Sequence, residues 1–107
     1  MTIELKKFGT TLISRQAGRE AFAAFQPLLA GIKDDESIGV DFDGVLTFSP
    51  SWGDEFLTPL AKIYMGRLNL KKTDNPSVKA TLEILQKTTG IQFNSPVGGD
   101  GRNRTAV

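Results

Sequence analysis

Two kinds of reactive side chain follow one apolar segment of this chain. Residues 38–42 read Ile-Gly-Val-Asp-Phe, as in a central strand, and Asp41 and Asp43 lie at its carboxyl end. Carboxylates at such a position can hold Mg²⁺ against a phosphate, or one of them can attack phosphorus. Ser51 follows at the start of an amphipathic stretch, where a hydroxyl lies beside the free N–H groups of a helix. The pattern therefore offers a hydrolytic site at the carboxylates and a regulatory site at the serine.

The composition excludes several classes of function. The chain has 107 residues, 39% of them hydrophobic, and seven Phe, which is enough for one domain with a core. It has neither Cys nor His, so thiol catalysis, the usual zinc sites and His acid/base chemistry are excluded. A net charge of +1 argues against nucleic acid as a partner. We predict no cofactor and no bound metal.

The location of the protein is predicted from what the apolar segments lack. No run of about 18 apolar residues is present, which argues against a membrane span. The first residues, Met-Thr-Ile-Glu-Leu-Lys-Lys, have no apolar signal core. Because the chain also lacks cysteine, we expect no membrane association and a cytoplasmic location.

Strand-like and helix-like patterns alternate along the chain. The predicted strands span residues 3–8, 10–13, 38–42 and 67–71, and the predicted helices begin at the N-caps Ser14, Ser51 and Asn75. This order predicts an α/β fold, a single domain with about four mostly parallel or mixed strands covered by about three helices. The domain is expected at residues 1–90 and a flexible C-terminal tail at 91–107.

The carboxylate segment, residues 41–47, resembles the first motif of the haloacid dehalogenase superfamily. That resemblance implies a Mg²⁺-dependent phosphohydrolase in which Asp41 attacks phosphorus and Asp43 is the general acid/base. Residues 97–104 echo the superfamily's later acidic motif, with Lys79 a candidate for its lysine.

Two observations make this hydrolase the alternative rather than the first hypothesis. Arg104 stands where the late motif ends in an acid, which is the wrong charge for Mg²⁺. The chain after Asp43 also offers one clear further strand before the tail, too few for the superfamily's sheet. A structural interpretation of the same residues is that Asp41 and Asp43 bond the backbone in a turn, where Gly44 allows a positive φ.

A second resemblance covers residues 3–88. The motifs that carry it are Phe8-Gly-Thr, Leu12-Ile-Ser-Arg15 with Gly18-Arg19, Val40-Asp-Phe-Asp-Gly-Val45, Phe48-Ser-Pro-Ser-Trp-Gly-Asp-Glu-Phe-Leu57, and Leu68-Asn-Leu70 followed by residues 75–85. Together they resemble the STAS-like domain family, small bacterial relatives of anti-sigma-factor antagonists. The resemblance implies a non-enzymatic protein–protein interaction module in bacterial signalling. In better-known STAS proteins, a histidine-kinase-like ATPase phosphorylates a serine at a helix start, and the phosphate blocks binding to that ATPase.

Matched to the STAS motif, Ser51 takes the place of the phosphate acceptor and Gly53 that of the turn glycine. Trp52 replaces the family's second serine, and Pro50 replaces its aspartate. Ser51 is therefore either the phosphorylation site or simply the N-cap of the second helix. Ser49 is a weaker candidate for the acceptor.

The partner, a histidine-kinase-like ATPase or another regulatory protein, is expected to bind the turn at residues 48–56. The residues assigned to this contact are Ser49, Trp52, Gly53 and Asp54. Trp52 is predicted at the surface because it falls in the first helical turn, with a lid over the end of the core as the alternative. Asp54, three residues after Ser51, is predicted to complete a capping box. Arg15 and Arg19 form either a basic patch or a solvated face.

Overall fold

The computed structural model describes residues 1–64 and 66–93. Within them the strands are β1 (Thr2–Glu4), β2 (Thr11–Leu12), β3 (Ile38–Asp41), β4 (Thr47–Phe48) and β5 (Leu68–Leu70), and the helices are α1 (Arg15–Leu29), α2 (Pro50–Ile63) and α3 (Pro76–Thr89). The predicted α/β class with parallel strands is confirmed. The predicted tail lies, from residue 94 onward, outside the described residues.

The strands form two sheets in place of the predicted single one. The first has the order β1-β3-β5 and the second pairs β2 with β4, and every pairing in the described residues is parallel. The prediction of one strand over residues 3–8 is wrong because Leu5–Phe8 closes into a 3₁₀ turn. Gly9 follows at φ 132°, a value suited to glycine, and redirects the chain into the second sheet.

The same unit is repeated along the chain: a strand, a loop and a helix capped by a side chain. In residues 2–29 and 38–63 a second short strand, β2 or β4, precedes the helix. In residues 68–89 the start of α3 takes the place of that short strand. Ser77 Oγ accepts a bond from the Phe48 N–H at 2.9 Å and donates to the Phe48 carbonyl at 3.2 Å. The third unit therefore completes the second sheet with side chains.

The helices pack on one face of the three-stranded sheet. Its buried residues alternate along the strands and are Ile3, Ile38, Val40, Leu68 and Leu70. Thr2 and Asn69 point away from the helices and are exposed, and Gly39 between them is half-buried. Parallel sheets usually carry helices on both faces, so this polar second face departs from the common arrangement.

Helices α1 and α2 are in close contact at Gly18. A Cβ atom at Gly18 would lie 2.7 Å from the Trp52 carbonyl oxygen and 3.0 Å from the Trp52 Cα. Both atoms belong to the backbone of α2, so they cannot rotate away as a side-chain end would. The contact therefore requires glycine at this position of α1.

The close helix contact predicts opposite outcomes for two glycine substitutions. Gly18→Ala would force the helices apart, and we expect a loss of about 1–3 kcal/mol of unfolding free energy, the usual range for overpacking. Gly31→Ala is the control, because a Cβ there would meet nothing nearer than the Leu28 carbonyl at 3.9 Å. It should be neutral or stabilising by up to about 1 kcal/mol. Chemical denaturation measures both, and equal stabilities for the two variants would contradict the close contact.

Candidate functional site

The start of α2 lies two residues earlier than the sequence indicates. Pro50 takes the first helical position, and Ser49 is the N-cap. Ser49 Oγ accepts a bond from the Trp52 N–H at 3.2 Å and donates to the Ile13 carbonyl at 2.6 Å. The prediction that Ser51 is the N-cap is therefore wrong, because the preference of proline for the first position places the cap at the serine before it.

Asp54 binds the first helix instead of closing a capping box. Its Oδ2 accepts a bond from Arg15 NH1 at 3.0 Å, and its Oδ1 accepts one from the Thr58 hydroxyl at 3.0 Å. The hydrogen bond from Arg15 lowers the pKa of Asp54; partial burial opposes this effect, and Thr58 adds to it. The capping-box prediction is therefore wrong.

Arg15 and Arg19 connect α1 with α2. Arg15 NH1 also donates to Glu55 Oε2 at 2.6 Å, and Arg19 Nε lies 3.4 Å from Glu55 Oε1. We call Arg15, Arg19, Asp54 and Glu55 the interhelical ion-pair cluster. Both arginines are exposed, as a solvated face predicts, but neither expectation includes their pairing with α2.

Trp52 lies in the core, so its predicted place at the partner surface is wrong. Its side chain is 1% exposed and stacks on Phe56 with ring centroids 5.0 Å apart. Phe8 and Phe48 pack against it at centroid distances of 6.0 and 5.8 Å. With the helix starting at Pro50, the third helical position faces inward. The alternative of a lid over the core end describes Trp52 better.

Gly53 is also buried. A Cβ atom there would lie 3.0 Å from Leu85 Cδ1 and 3.1 Å from Phe48 Cζ. The glycine therefore allows α3 to pack against the first turn of α2. A direct contact between Gly53 and a partner is excluded by this burial.

Ser51 differs from the other residues predicted for the site in its hydrogen bonding. It occupies the second position of α2 and is half-buried. Among residues 1–64 and 66–93, its Oγ has no hydrogen-bond partner, whereas Ser49 and Asp54 are bonded. Of the five residues predicted for the site, four hold the fold together and Ser51 is accessible.

Two exposed apolar side chains flank the short strands that lead into α1 and α2. Ile13 is 51% exposed and Leu46 is 69% exposed. The Ile13 carbonyl receives the Ser49 hydroxyl, and the Leu46 N–H donates to the Thr10 carbonyl at 2.7 Å. We call Ile13, Leu46 and Ser51 the helix-start surface. The sequence analysis did not identify the two apolar residues, although Ile13 follows the buried Leu12 of β2 and Leu46 precedes the exposed Thr47 of β4.

The two aspartates lie in a turn at the carboxyl end of β3. Asp41 Oδ1 accepts a bond from the Asp43 N–H at 3.0 Å, and Gly44 has φ 87°. The turn interpretation is thereby confirmed for Asp41 and Gly44, whereas the Asp43 side chain bonds no backbone group within residues 1–64 and 66–93. The turn borders a groove of 360 Å³ whose other lining residues include Lys72 and Asp74.

Among the residues that the structure describes, no three acidic, His or Cys side chains gather in a group that could hold a metal ion. The late acidic motif proposed at residues 97–104 lies outside them. None of the helices in 1–64 and 66–93 is long and apolar enough to cross a membrane.

Comparison with known proteins adds no relative: no family model, no curated protein and no solved structure matches this chain. The STAS-like and hydrolase resemblances therefore stay predictions, and the site is interpreted from its own geometry.

The burial of Trp52 predicts a large loss of stability on truncation. Trp52→Ala should lower the unfolding free energy by about 3–5 kcal/mol, as for other buried large side chains. Leu46→Ala is the control; because Leu46 is 69% exposed, it should change stability by less than about 0.5 kcal/mol. Urea denaturation followed by circular dichroism measures both, and a mild effect at Trp52 would contradict its place in the core.

Proposed function

We propose that this protein is a non-enzymatic regulatory module of bacterial cytoplasmic signalling, which binds a partner through the helix-start surface and is switched by phosphorylation of Ser51. The observation that carries the proposal is the Ser51 hydroxyl, which has no hydrogen-bond partner within residues 1–64 and 66–93, in a motif whose other predicted site residues serve the fold. By the STAS-like resemblance, the partner is an ATPase of the histidine-kinase-like fold or another regulatory protein.

The position of Ser51 suits a reversible phosphate. Phosphorylation adds about −1.5 to −2 charges at neutral pH. At the second position of α2 this charge meets the positive end of the helix dipole. Because the Ser51 hydroxyl has no hydrogen-bond partner among the described residues, the modification removes no contact that the fold needs. The charge of the surface changes while the fold persists.

The apolar part of the helix-start surface supplies the contact with the partner. Leu46 and Ile13 expose 69% and 51% of their areas. Apolar contacts dominate the desolvated centre of many interfaces. A phosphate on Ser51 places a strongly hydrated group beside that centre, so the unphosphorylated protein is the binding form.

Substitutions at the two serines separate the switch from the helix cap. Ser51→Asp should abolish partner binding, and Ser51→Ala should bind constitutively with a stability change below about 0.5 kcal/mol. Ser49→Ala should instead lose about 0.5–2 kcal/mol of stability, because Ser49 is the cap. Pull-down with the tagged protein measures binding, and thermal unfolding measures stability.

The acceptor itself is identified by incubating the captured ATPase, ATP and the protein, followed by mass spectrometry of the peptide that spans Ser49 and Ser51. We expect phosphate on Ser51. Phosphate on Ser49, or none with an ATPase shown to be active on another substrate, would remove Ser51 as the switch.

The groove beside Asp41 favours a second candidate, the Mg²⁺-dependent phosphohydrolase. Asp41 and Asp43 line it together with Lys72, Thr73 and Asp74, so carboxylates, a hydroxyl and an amine share one space of 360 Å³ at the carboxyl ends of β3 and β5. Open α/β sheets commonly bind ligands at this edge. Against this candidate, one oxygen of the proposed nucleophile Asp41 already accepts the Asp43 N–H.

The preferred function predicts no hydrolysis of small phosphate esters in the presence of Mg²⁺. The assay follows the release of product from p-nitrophenyl phosphate by the purified protein and by Asp41→Asn. We expect both to equal the buffer background, because the Asp41 carboxylate serves the turn. Turnover by the wild type that Asp41→Asn abolishes would replace the regulatory module with the phosphohydrolase.

A further inference from the structure

Ser51 shares a face of α2 with both carboxylates of the interhelical ion-pair cluster. Asp54 follows it by three residues and Glu55 by four, the spacing at which side chains of a helix are neighbours. Both carboxylates are held by one guanidinium nitrogen, Arg15 NH1, at 3.0 and 2.6 Å. The Ser51 hydroxyl is therefore about one helical turn from the two carboxylates that bind the Arg15 guanidinium.

The backbone of Arg15 lies level with Ser51. The Ser49 hydroxyl donates to the Ile13 carbonyl, which fixes the starts of α1 and α2 side by side. Arg15 follows Ile13 by two positions, and Ser51 follows Ser49 by two positions. The Gly18 contact agrees with this alignment: Gly18, three residues after Arg15, packs against the Trp52 backbone and the Glu55 Cβ, which are one and four residues after Ser51.

The helices run in the same direction from this end, because the parallel strands β2 and β4 lead directly into them. The Arg15 side chain therefore reaches along α2, away from the level of Ser51, to its present partners. It is about half exposed, at 47%, so no packing encloses it on its solvent side.

We propose that a phosphate on Ser51 takes the Arg15 guanidinium from Asp54 and Glu55. The inference rests on the proposed function, which supplies the phosphate. In that step the γ-phosphoryl group of ATP is transferred: the bond from Ser51 Oγ to phosphorus forms, the bond from the γ-phosphorus to the β–γ bridging oxygen breaks, ADP leaves, and the hydroxyl proton passes to a base of the partner.

The charges favour the exchange. Phosphate carries about twice the charge of a carboxylate and three acceptor oxygens, and arginine binds it through two N–H groups at once. If Arg15 stayed in place, the phosphate would face two carboxylates within about one turn, and like charges at this spacing repel.

The carboxylates keep other partners after Arg15 leaves. Glu55 retains Arg19, and Asp54 retains the Thr58 hydroxyl. The two helices therefore stay in contact at Gly18 while the Asp54 carboxylate becomes more exposed. Phosphorylation then changes the surface twice, by the phosphate itself and by the uncovered acid.

The test uses the full chain with phosphoserine incorporated genetically at position 51, so it needs no kinase. A ³¹P NMR titration measures the second pKa of the phosphate, which is about 6 for a free phosphoserine. Capture by Arg15 should lower it by about 0.5–1 pH unit, as an adjacent guanidinium does for an acid. In Arg15→Ala it should rise above the value in the protein with both arginines, because Asp54 and Glu55 remain beside the phosphate while the effect of the helix N-terminus is the same in both.

Arg19→Ala is the matched control, since it removes an equal charge from the same helix but leaves Arg15 available. Its phosphate should keep the lowered pKa. A pKa at or above about 6 in the protein with both arginines would overturn the proposal. An equal rise in Arg19→Ala and Arg15→Ala would also overturn it, because a general field would then explain the shift.

Circular dichroism verifies that each variant is folded, and Arg15→Gln replaces Arg15→Ala if that variant is not. Partner binding is not measured in this titration. A phosphate that blocks the partner but has an unshifted pKa would remove the exchange and leave the proposed function intact.

Discussion

The contact of α1 with the backbone of α2 at Gly18 is the constraint on which the other features of the site depend. No Cβ fits between Gly18 and the Trp52 carbonyl, so the two helices run closer than ordinary side chains permit. At this distance the Trp52 ring points into the core and Arg15 reaches Asp54 and Glu55. Residues about 40 positions apart in the sequence are therefore bonded to one another. These contacts depend on the lack of a side chain at Gly18.

The same constraint separates structural residues from available ones. Ser49 bonds the beginning of α2 to Ile13, and Gly53 allows α3 to pack against α2. The motif at residues 48–56 therefore serves mainly to pack the helices. Ser51 is the exception, and it precedes the two carboxylates of the ion-pair cluster on α2 by three and four residues. Within this motif, Ser51 is therefore the residue for which we propose a regulatory role.

Local signals in the sequence predicted the elements better than they predicted the site. Helices α1 and α3 begin at the expected N-caps Ser14 and Asn75, and α3 ends at the expected left-handed Gly90, because these preferences act within a few residues. The choice between Ser49 and Ser51 depended on Pro50, and both serines satisfy the cap preference. The direction of Trp52 was not predictable from α2 alone, because it follows from a contact with another helix. The division into two sheets likewise depends on a turn that the apolar spacing of residues 3–8 does not show.

Ser77 covers a strand edge on which another copy of this chain could otherwise add a strand. A strand edge with free N–H and carbonyl groups is a template on which another chain can polymerise. At Phe48 both groups are occupied by the Ser77 hydroxyl, and Thr81 binds the same carbonyl. The outer side of β4 is thus closed to strand addition by two hydroxyls of a helix, without a further strand that would itself expose an edge.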